Sequence, residues 1–363
     1  MTGRIRRLLL VLTAGLAACA MLLTFGPSAS AHQDSLNPPP SGQAPPPPVV
    51  PPALDPPAAG TFYHQALSAN GSWTGWATPA GVGGSPTFAG YQEAMAAMPN
   101  GDTQFLGVGL DHELRVNKRR ANGSWSGWTT GLVLPNGAGV FAGQKSLGIA
   151  GMPDGTAQAV VLGTDGVIYD RISNVGATNW GSWTALNNPG AAKSVAITAM
   201  PNGSTQVAAY GSDGTVNVRT RSSAGSWNNW EQLMITADVA NYVYYGNDVA
   251  ITALPNGSAR IVVVNNYWGT VYSILHNANN TYTSWAALSG VSAPRSVAIT
   301  STPNGSTQVV VSNDNSQLYR SILPSGGAWT AFSPLATPNG HPVSQIGIAG
   351  LPDGSTQFLA ITP

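Results

Sequence analysis

Two short patterns return at nearly fixed intervals along this chain, and they constrain its fold more than anything else in it. Pro-Asn/Asp-Gly begins at Pro99, Pro153, Pro201, Pro255, Pro303 and Pro352, at intervals of 54, 48, 54, 48 and 49 residues. Between these, aromatic pairs stand three residues apart: Trp73/Trp76, Trp125/Trp128, Trp180/Trp183, Trp227/Trp230, Tyr282/Trp285 and Trp329/Phe332. A period of 20–50 residues is the mark of a propeller or solenoid, and six copies of each marker at this spacing predict six repeats.

The repeat from Ser194 to Leu233 shows the unit. Val195–Ala199, Thr205–Tyr210, Val216–Thr220 and Trp227–Leu233 are short β-like runs, separated by Asn202-Gly203, Asp213-Gly214 and a Ser/Gly loop. Asn-Gly predicts a tight hairpin turn with both central residues at positive φ. Four antiparallel strands in about 50 residues make one propeller blade. At the start of the repeat region, Thr61–Gln65 and Trp73/Trp76 match the third and fourth runs of a blade. At its end, Gln345–Gly350 and Thr356–Ile361 match the first and second. The expected fold is therefore all-β: a six-bladed propeller of four-stranded antiparallel blades, closed where Ile361 and Tyr63 lie on adjacent strands of a shared blade. An open array would leave sheet edges exposed.

The region before the repeats reads differently. Arg4, Arg6 and Arg7, the apolar run from Leu8 to Phe25 and Ala29-Ser30-Ala31 form a signal peptide over residues 1–31. Leu16-Ala17-Ala18-Cys19 leaves open a lipid anchor through Cys19. Residues 32–59 are a Pro-rich linker suited to extended polyproline II, and residues 60–363 are the propeller. The mature chain is expected to be secreted, with no membrane span. Cys19 is the single cysteine, so the mature chain has no disulfide and no thiolate metal site. Removing three of the 15 basic residues with the leader leaves 12 against 15 acidic ones. That balance argues against a nucleic-acid partner, which needs a basic face.

Each candidate functional residue has two readings. Residues three apart in a strand point to opposite faces, and both faces of a blade touch neighbouring blades, so the aromatic pairs wedge the blades together or wall shallow grooves between them. An indole face stacks on the C–H face of a sugar, and several weak sites gain through multivalency. On this reading the sugar-binding candidates are Trp73, Trp76, Trp125, Trp128, Trp180, Trp183, Trp227, Trp230, Trp285 and Trp329. A second column follows the Asp-Gly turns: Tyr63, Tyr169, Tyr272 and Tyr319, with Arg115 and Asn217 in the matching places. The Asn-Gly-Ser triplets at Asn70, Asn122, Asn202, Asn256 and Asn304 fit a glycosylation sequon but are explained by turn chemistry. Arg115, Lys118, Arg119 and Arg120 form the one basic cluster, a solvated face or a contact for an anionic glycan. The histidines are scattered without metal-ligand spacing; Asp111-His112-Glu113 occupies a turn. No cofactor is implied.

Hydrolysis of glycosides needs two carboxyl groups flanking the bond. The glutamates are Glu93, Glu113 and Glu231 alone, and Asp154, Asp165, Asp213, Asp314 and Asp353 sit in turns. Glu93, Asp102, Asp170, Glu231, Asp238 and Asp248 remain as loose candidates, and no repeat installs an acid, a base and a nucleophile together. The chain reads as a non-enzyme, with a protein-interaction or surface-assembly propeller as the alternative and a glycoside hydrolase as a third reading.

The segments Gly71-Ser72-Trp73-Thr74-Gly75-Trp76, Gly123-Ser124-Trp125-Ser126-Gly127-Trp128 and Gly211-Ser212-Asp213-Gly214-Thr215-Val216 resemble the PLL-type β-propeller lectins and, more distantly, the AAL-type fungal fucose lectins. The resemblance covers about residues 61–363. It implies glycan partners, fucose or O-methylated sugars, held between blades with tryptophans as pocket walls. The chain departs from both: PLL-type lectins usually have seven blades, and AAL-type sites set an Arg and a Glu beside a Trp, whereas no Glu recurs here.

Overall fold

The computed structural model describes residues 60–79, 89–141, 145–190, 192–211, 214–233, 246–265 and 270–363. The expected leader (1–31) and linker (32–59), with Cys19, Asp213, Asp238 and Trp268, lie outside the described residues.

Six separate antiparallel sheets form the blades. Their first strands are Gly90–Ala97, Leu147–Gly151, Ala192–Ala199, Gly246–Ala253, Pro294–Ser301 and Gln345–Gly350, and we number blades 1 to 6 in that order. Each first strand packs on that of the next blade, and the sixth packs on the first, so the ring is closed. Four blades carry four strands. In blades 1 and 6 the fourth is reduced to bridges, Arg119 with Trp125 and Val116 with Thr129, and Leu67 with Trp73 and His64 with Ala77.

Blade 6 is built from both ends of the chain. Thr61–Leu67 pairs with Thr356–Thr362 in antiparallel register, Phe62 opposite Ile361 and Tyr63 opposite Ala360. Gly60 and Gly90 then exchange backbone hydrogen bonds of 2.8 and 3.0 Å, tying the seam to blade 1.

The Pro-Asn/Asp-Gly turns differ from the expected geometry. Gly203 has φ of 82°, while Asn202 is not at positive φ. The Gly203 amide donates to the Met200 carbonyl (2.9 Å) and the Met200 amide to the Ser204 carbonyl (2.8 Å). This is a type I turn closed by a left-handed glycine, with Pro201 at the position that favours fixed φ. Asn202 serves instead as an acceptor: its Oδ1 takes bonds from the Ser204 amide (3.0 Å) and hydroxyl (2.6 Å). Asp154 with Thr156 and Asp353 with Ser355 repeat the arrangement. The Asn-Gly-Ser triplet thus closes on itself. The same tripeptide also stands at Pro135–Gly137 and Pro338–Gly340, where it forms a short 3-10 turn with Asn136 and Asn339 left-handed. Pro-Asn-Gly is therefore not by itself a blade marker.

The six hairpin turns surround one mouth of the central channel, a funnel of about 370 Å³ lined by Pro99, Pro153, Pro201, Pro255, Pro303 and Pro352. Near the start of the first strands the channel is crossed by a buried ionic cluster. Lys145 Nζ donates to the Ile346 carbonyl (3.3 Å) and lies 3.6 Å from Glu93. Asp248 accepts from Ser194 and Ser296 hydroxyls, both at 3.0 Å. Burial raises the pKa of both carboxyls. Glu93 fits here because Gly347 opposite it has no Cβ. These two of the loose carboxylate candidates are thus part of the channel packing. Among the described residues no helix is long and apolar enough to cross a membrane.

Candidate functional site between the blades

The aromatic pairs do not alternate across the sheet. In blade 6, Leu67 bridges Trp73 and His64 bridges Ala77: three residues on the third strand are matched by four on the fourth. Blades 1 to 4 share this offset, as with Arg221 opposite Trp227 and Val218 opposite Glu231. One extra residue is a β-bulge, and it converts a spacing of three into an effective spacing of two. Both aromatics therefore face the same way.

The residue after the first aromatic builds the bulge. Its backbone amide and side-chain oxygen both address the third strand. Thr74 Oγ1 accepts from the Ala66 amide (2.9 Å), Ser126 Oγ from Lys118 (3.0 Å), Asn228 Oδ1 from Thr220 (2.7 Å), Thr283 Oγ1 from Leu275 (3.1 Å) and Thr330 Oγ1 from Ile322 (2.9 Å). A side-chain acceptor thus stands in for the carbonyl the ladder has lost. Blade 2 has Gly181 there and keeps only the backbone bond, Gly181 N to Ile172 O.

Every pair packs toward the preceding blade. Trp125 and Trp128 join the apolar cluster between blades 6 and 1, Trp180 and Trp183 that between 1 and 2, and Trp227 and Trp230 that between 2 and 3. Tyr282 and Trp285, Trp329 and Phe332, and Trp76 continue the series. Trp73 lies 5.1 Å from Phe358, the same interface as Trp76, and is 40% exposed. The other paired aromatics are half-buried.

Within a pair the two members differ. Two second members anchor by hydrogen bonds: Trp76 Nε1 donates to Ala336 O (2.9 Å) and Trp230 Nε1 to Leu186 O (3.1 Å), both carbonyls of the preceding blade; Trp128 packs at a tilt against Phe62, ring centroids 5.3 Å apart, and the buried Nε1 of Trp183 and Trp285 has no partner among the described residues. First members form walls beside polar groups. Arg219 sits 5.5 Å over Trp227, Arg260 5.7 Å over Trp329 and Arg320 5.7 Å over Trp73, within cation–π range. In blade 2 the arginine stacks on the second member, Arg171 at 5.4 Å from Trp183.

The six grooves are not equivalent. Between blades 6 and 1, His64 lies 5.2 Å from Trp125 and donates from Nε2 to Gln357 Oε1 (3.0 Å); burial lowers its pKa to about 4. Between blades 3 and 4, His276 stacks on Tyr282 at 4.2 Å, and the Tyr282 hydroxyl reaches Glu231 at 3.5 Å. Between blades 2 and 3, Asp170 faces Trp227. It accepts from Gln158 Nε2 (2.7 Å), and burial raises its pKa to about 6, against the opposing pull of Arg221. This groove alone, among the described residues, joins a buried carboxylate, an arginine and a tryptophan.

The tyrosines stand further along the same interfaces: Tyr169 packs in the cluster that holds Trp180 and Trp183, and Tyr319 in that of Trp329 and Phe332. Tyr169 lies four residues from Ser173, the bridge partner of Trp180, and so stands about 13 Å away along the strand. Its hydroxyl donates to Asp165 in the turn (2.6 Å), and that of Tyr319 to Gln317 (2.8 Å). Tyr63 and Tyr272 occupy the same register, opposite Ala360 and Val263. The basic cluster is divided as well: Arg115 pairs with Asp111, Lys118 reaches the Gly176 carbonyl (2.6 Å), and Arg119 bridges Trp125. Arg171, Arg219, Arg260 and Arg320 are absent from the candidates read from sequence. Arg171 and Arg219 hold matching third-strand positions, opposite Ala159 and Val207, a register signal that the tryptophans overshadowed; Arg320 stands one place off, opposite Val310, and Arg260 lies on a second strand.

The geometry defines a six-bladed propeller with half-buried aromatic pairs along the interfaces between its blades. No family model matches the sequence, and no curated protein does. Among solved structures, the chain is similar in fold to AofleA from Arthrobotrys oligospora (TM-score 0.55, 12% identity, covering 75% of this chain and 79% of that one). It is also similar to an Aleuria aurantia lectin variant in complex with Fucα1-6GlcNAc (TM-score 0.51, 13% identity, 72% and 84%). A third likeness is to a six-bladed fungal lectin described with a novel fucose recognition mode (TM-score 0.50, 14% identity, 72% and 84%). These are AAL-type propellers; the PLL-type likeness rests on the repeat text.

Proposed function

We propose that this chain is a secreted, non-catalytic carbohydrate-binding propeller whose weak sites lie in the grooves between blades. The observation that carries this reading is the bulge: it turns each aromatic pair to one side, so one member wedges the blades while the other stands half-exposed beside an arginine or a histidine. A sugar offers such a groove a C–H face for the indole and hydroxyls for the polar neighbour. Fold neighbours in complex with a fucosylated disaccharide support fucose or an O-methylated sugar as ligand, and the leader read in residues 1–31 supports secretion. The groove of Asp170, Trp227, Arg219 and Arg221 is the best equipped for a neutral sugar, since its carboxylate accepts from hydroxyls. The test is a glycan array with the purified protein, repeated with Trp227→Ala; no signal for any sugar at millimolar concentration would rule the reading out.

A further inference from the structure

Besides Arg221 beside Asp170, five half-buried arginines line the grooves: Arg119, Arg171, Arg219, Arg260 and Arg320. Ion pairs among the described residues join Arg115 to Asp111 and Glu113, Lys145 to Glu93, and Arg295 to Asp314. None of the five groove arginines has a carboxylate within 4 Å in that set. A guanidinium carries five donors in a planar fork suited to a two-oxygen anion. Arg171 gives Nε to the Gly181 carbonyl and Nη2 to the Trp180 carbonyl, and Arg219 gives Nε to the Asn228 carbonyl; the forks of Arg260 and Arg320 are less used. Arg260 spends one bond on Ser273 Oγ (3.2 Å), and the buried Nε of both Arg260 and Arg320 has no partner. Buried donors are nearly always satisfied, and a cation withdrawn from water without a counter-ion is costly. Loss of hydration lowers the pKa of all five. The whole chain is not basic, so the positive charge is a local property of this rim.

From this arrangement, and resting on the carbohydrate-binding reading above, we infer that the grooves of Arg119, Arg171, Arg260 and Arg320 bind acidic sugars, the guanidinium taking a carboxylate or sulfate while the adjoining indole stacks on the ring. The Asp170 groove, where a carboxylate already faces the arginines, is left for a neutral sugar. Repetition around the ring suits a repeating acidic glycan, since several weak contacts act together. Uronic acid and sulfate ester share the chemistry and are separated by experiment.

The full chain is titrated with polygalacturonate, with heparin and with methyl α-fucoside, at low and at physiological salt, alongside Arg260→Gln/Arg320→Gln. Binding of either polymer that weakens tenfold or more both with added salt and in the double variant is the expected result. Polygalacturonate alone assigns carboxylate, heparin alone sulfate. Neutral sugar bound with both polymers ignored overturns the inference but leaves the carbohydrate reading standing; no sugar bound at all overturns both. Equal affinity for a single-stranded oligonucleotide would overturn the sugar assignment in favour of charge alone. Should the double variant misfold, Arg171→Gln and Arg320→Lys take its place, with loss expected in the first and partial loss in the second, where charge stays but the fork goes.

Discussion

Phe62, close to the start of the propeller, stands opposite Ile361, the antepenultimate residue of the chain, and its ring packs at a tilt against Trp128 of the neighbouring blade, centroids 5.3 Å apart. The seam is thus held by backbone pairing and by a wedge at once. Phe62 is fully buried. Phe62→Ala should cost about 3–5 kcal/mol and lower the thermal midpoint, while the same change at exposed Val133 should cost little. Differential scanning calorimetry measures both, and a small effect at Phe62 would mean the ring does not depend on its seam.

The bulge acceptors make a second prediction. Thr283→Val keeps the shape but removes the acceptor of the Leu275 amide; the loss should be about 1 kcal/mol. Thr283→Asn should recover much of it, because blade 3 uses Asn228 in the same role. Chemical denaturation of the two variants decides this.

Turn geometry gives the third. Gly203 lies at φ of 82°, so Gly203→Ala should cost roughly 1–2 kcal/mol. Asn202→Asp should be tolerated, since Asp154 and Asp353 already fill that place. Denaturation curves that ranked the two the other way round would argue against the type I geometry.

Two buried groups titrate with opposite consequences. Asp170 has its pKa raised to about 6, so the folded state holds its proton longer than the unfolded chain. Its contribution falls as pH rises from about 4 to 6, by roughly 2–3 kcal/mol at most. His64 has its pKa lowered to about 4, so the unfolded chain takes the proton first, and its contribution grows as pH rises from about 4 to 6.5. In the wild type these slopes oppose one another. Asp170→Asn should leave stability rising across this window, and His64→Gln should leave it falling. Equal slopes in both variants would show that these groups do not carry the pH dependence.

What the sequence reveals of this molecule follows the range of the interactions involved. Blade number and the shared sixth blade are legible because turn residues and β-branched runs are local signals, repeated until coincidence is excluded. The conformation of Asn202 is less so: Asn-Gly suits more than one turn, and the preceding Pro201 decides between them. The aromatic pairs mislead for a definite reason. Period-two alternation holds only for an unbroken ladder, and the side-chain bond of Thr74 or Asn228 breaks it. The arginine partners are set through space across the grooves, as with Arg320 of blade 5 over Trp73 of blade 6, and no local pattern announces such a contact.

The central claim is that a sugar occupies the groove walled by Trp227. Titration of the full chain with methyl α-fucoside and O-methylated monosaccharides, followed by tryptophan fluorescence and calorimetry, tests it most directly. Saturable binding in the millimolar range or tighter is expected for at least one of them, reduced at least tenfold in Trp227→Ala while Tyr319→Phe, in the interface between blades 4 and 5, leaves binding in the Trp227 groove unchanged. Binding unaffected by Trp227→Ala, or no saturable signal from any sugar, would contradict the account.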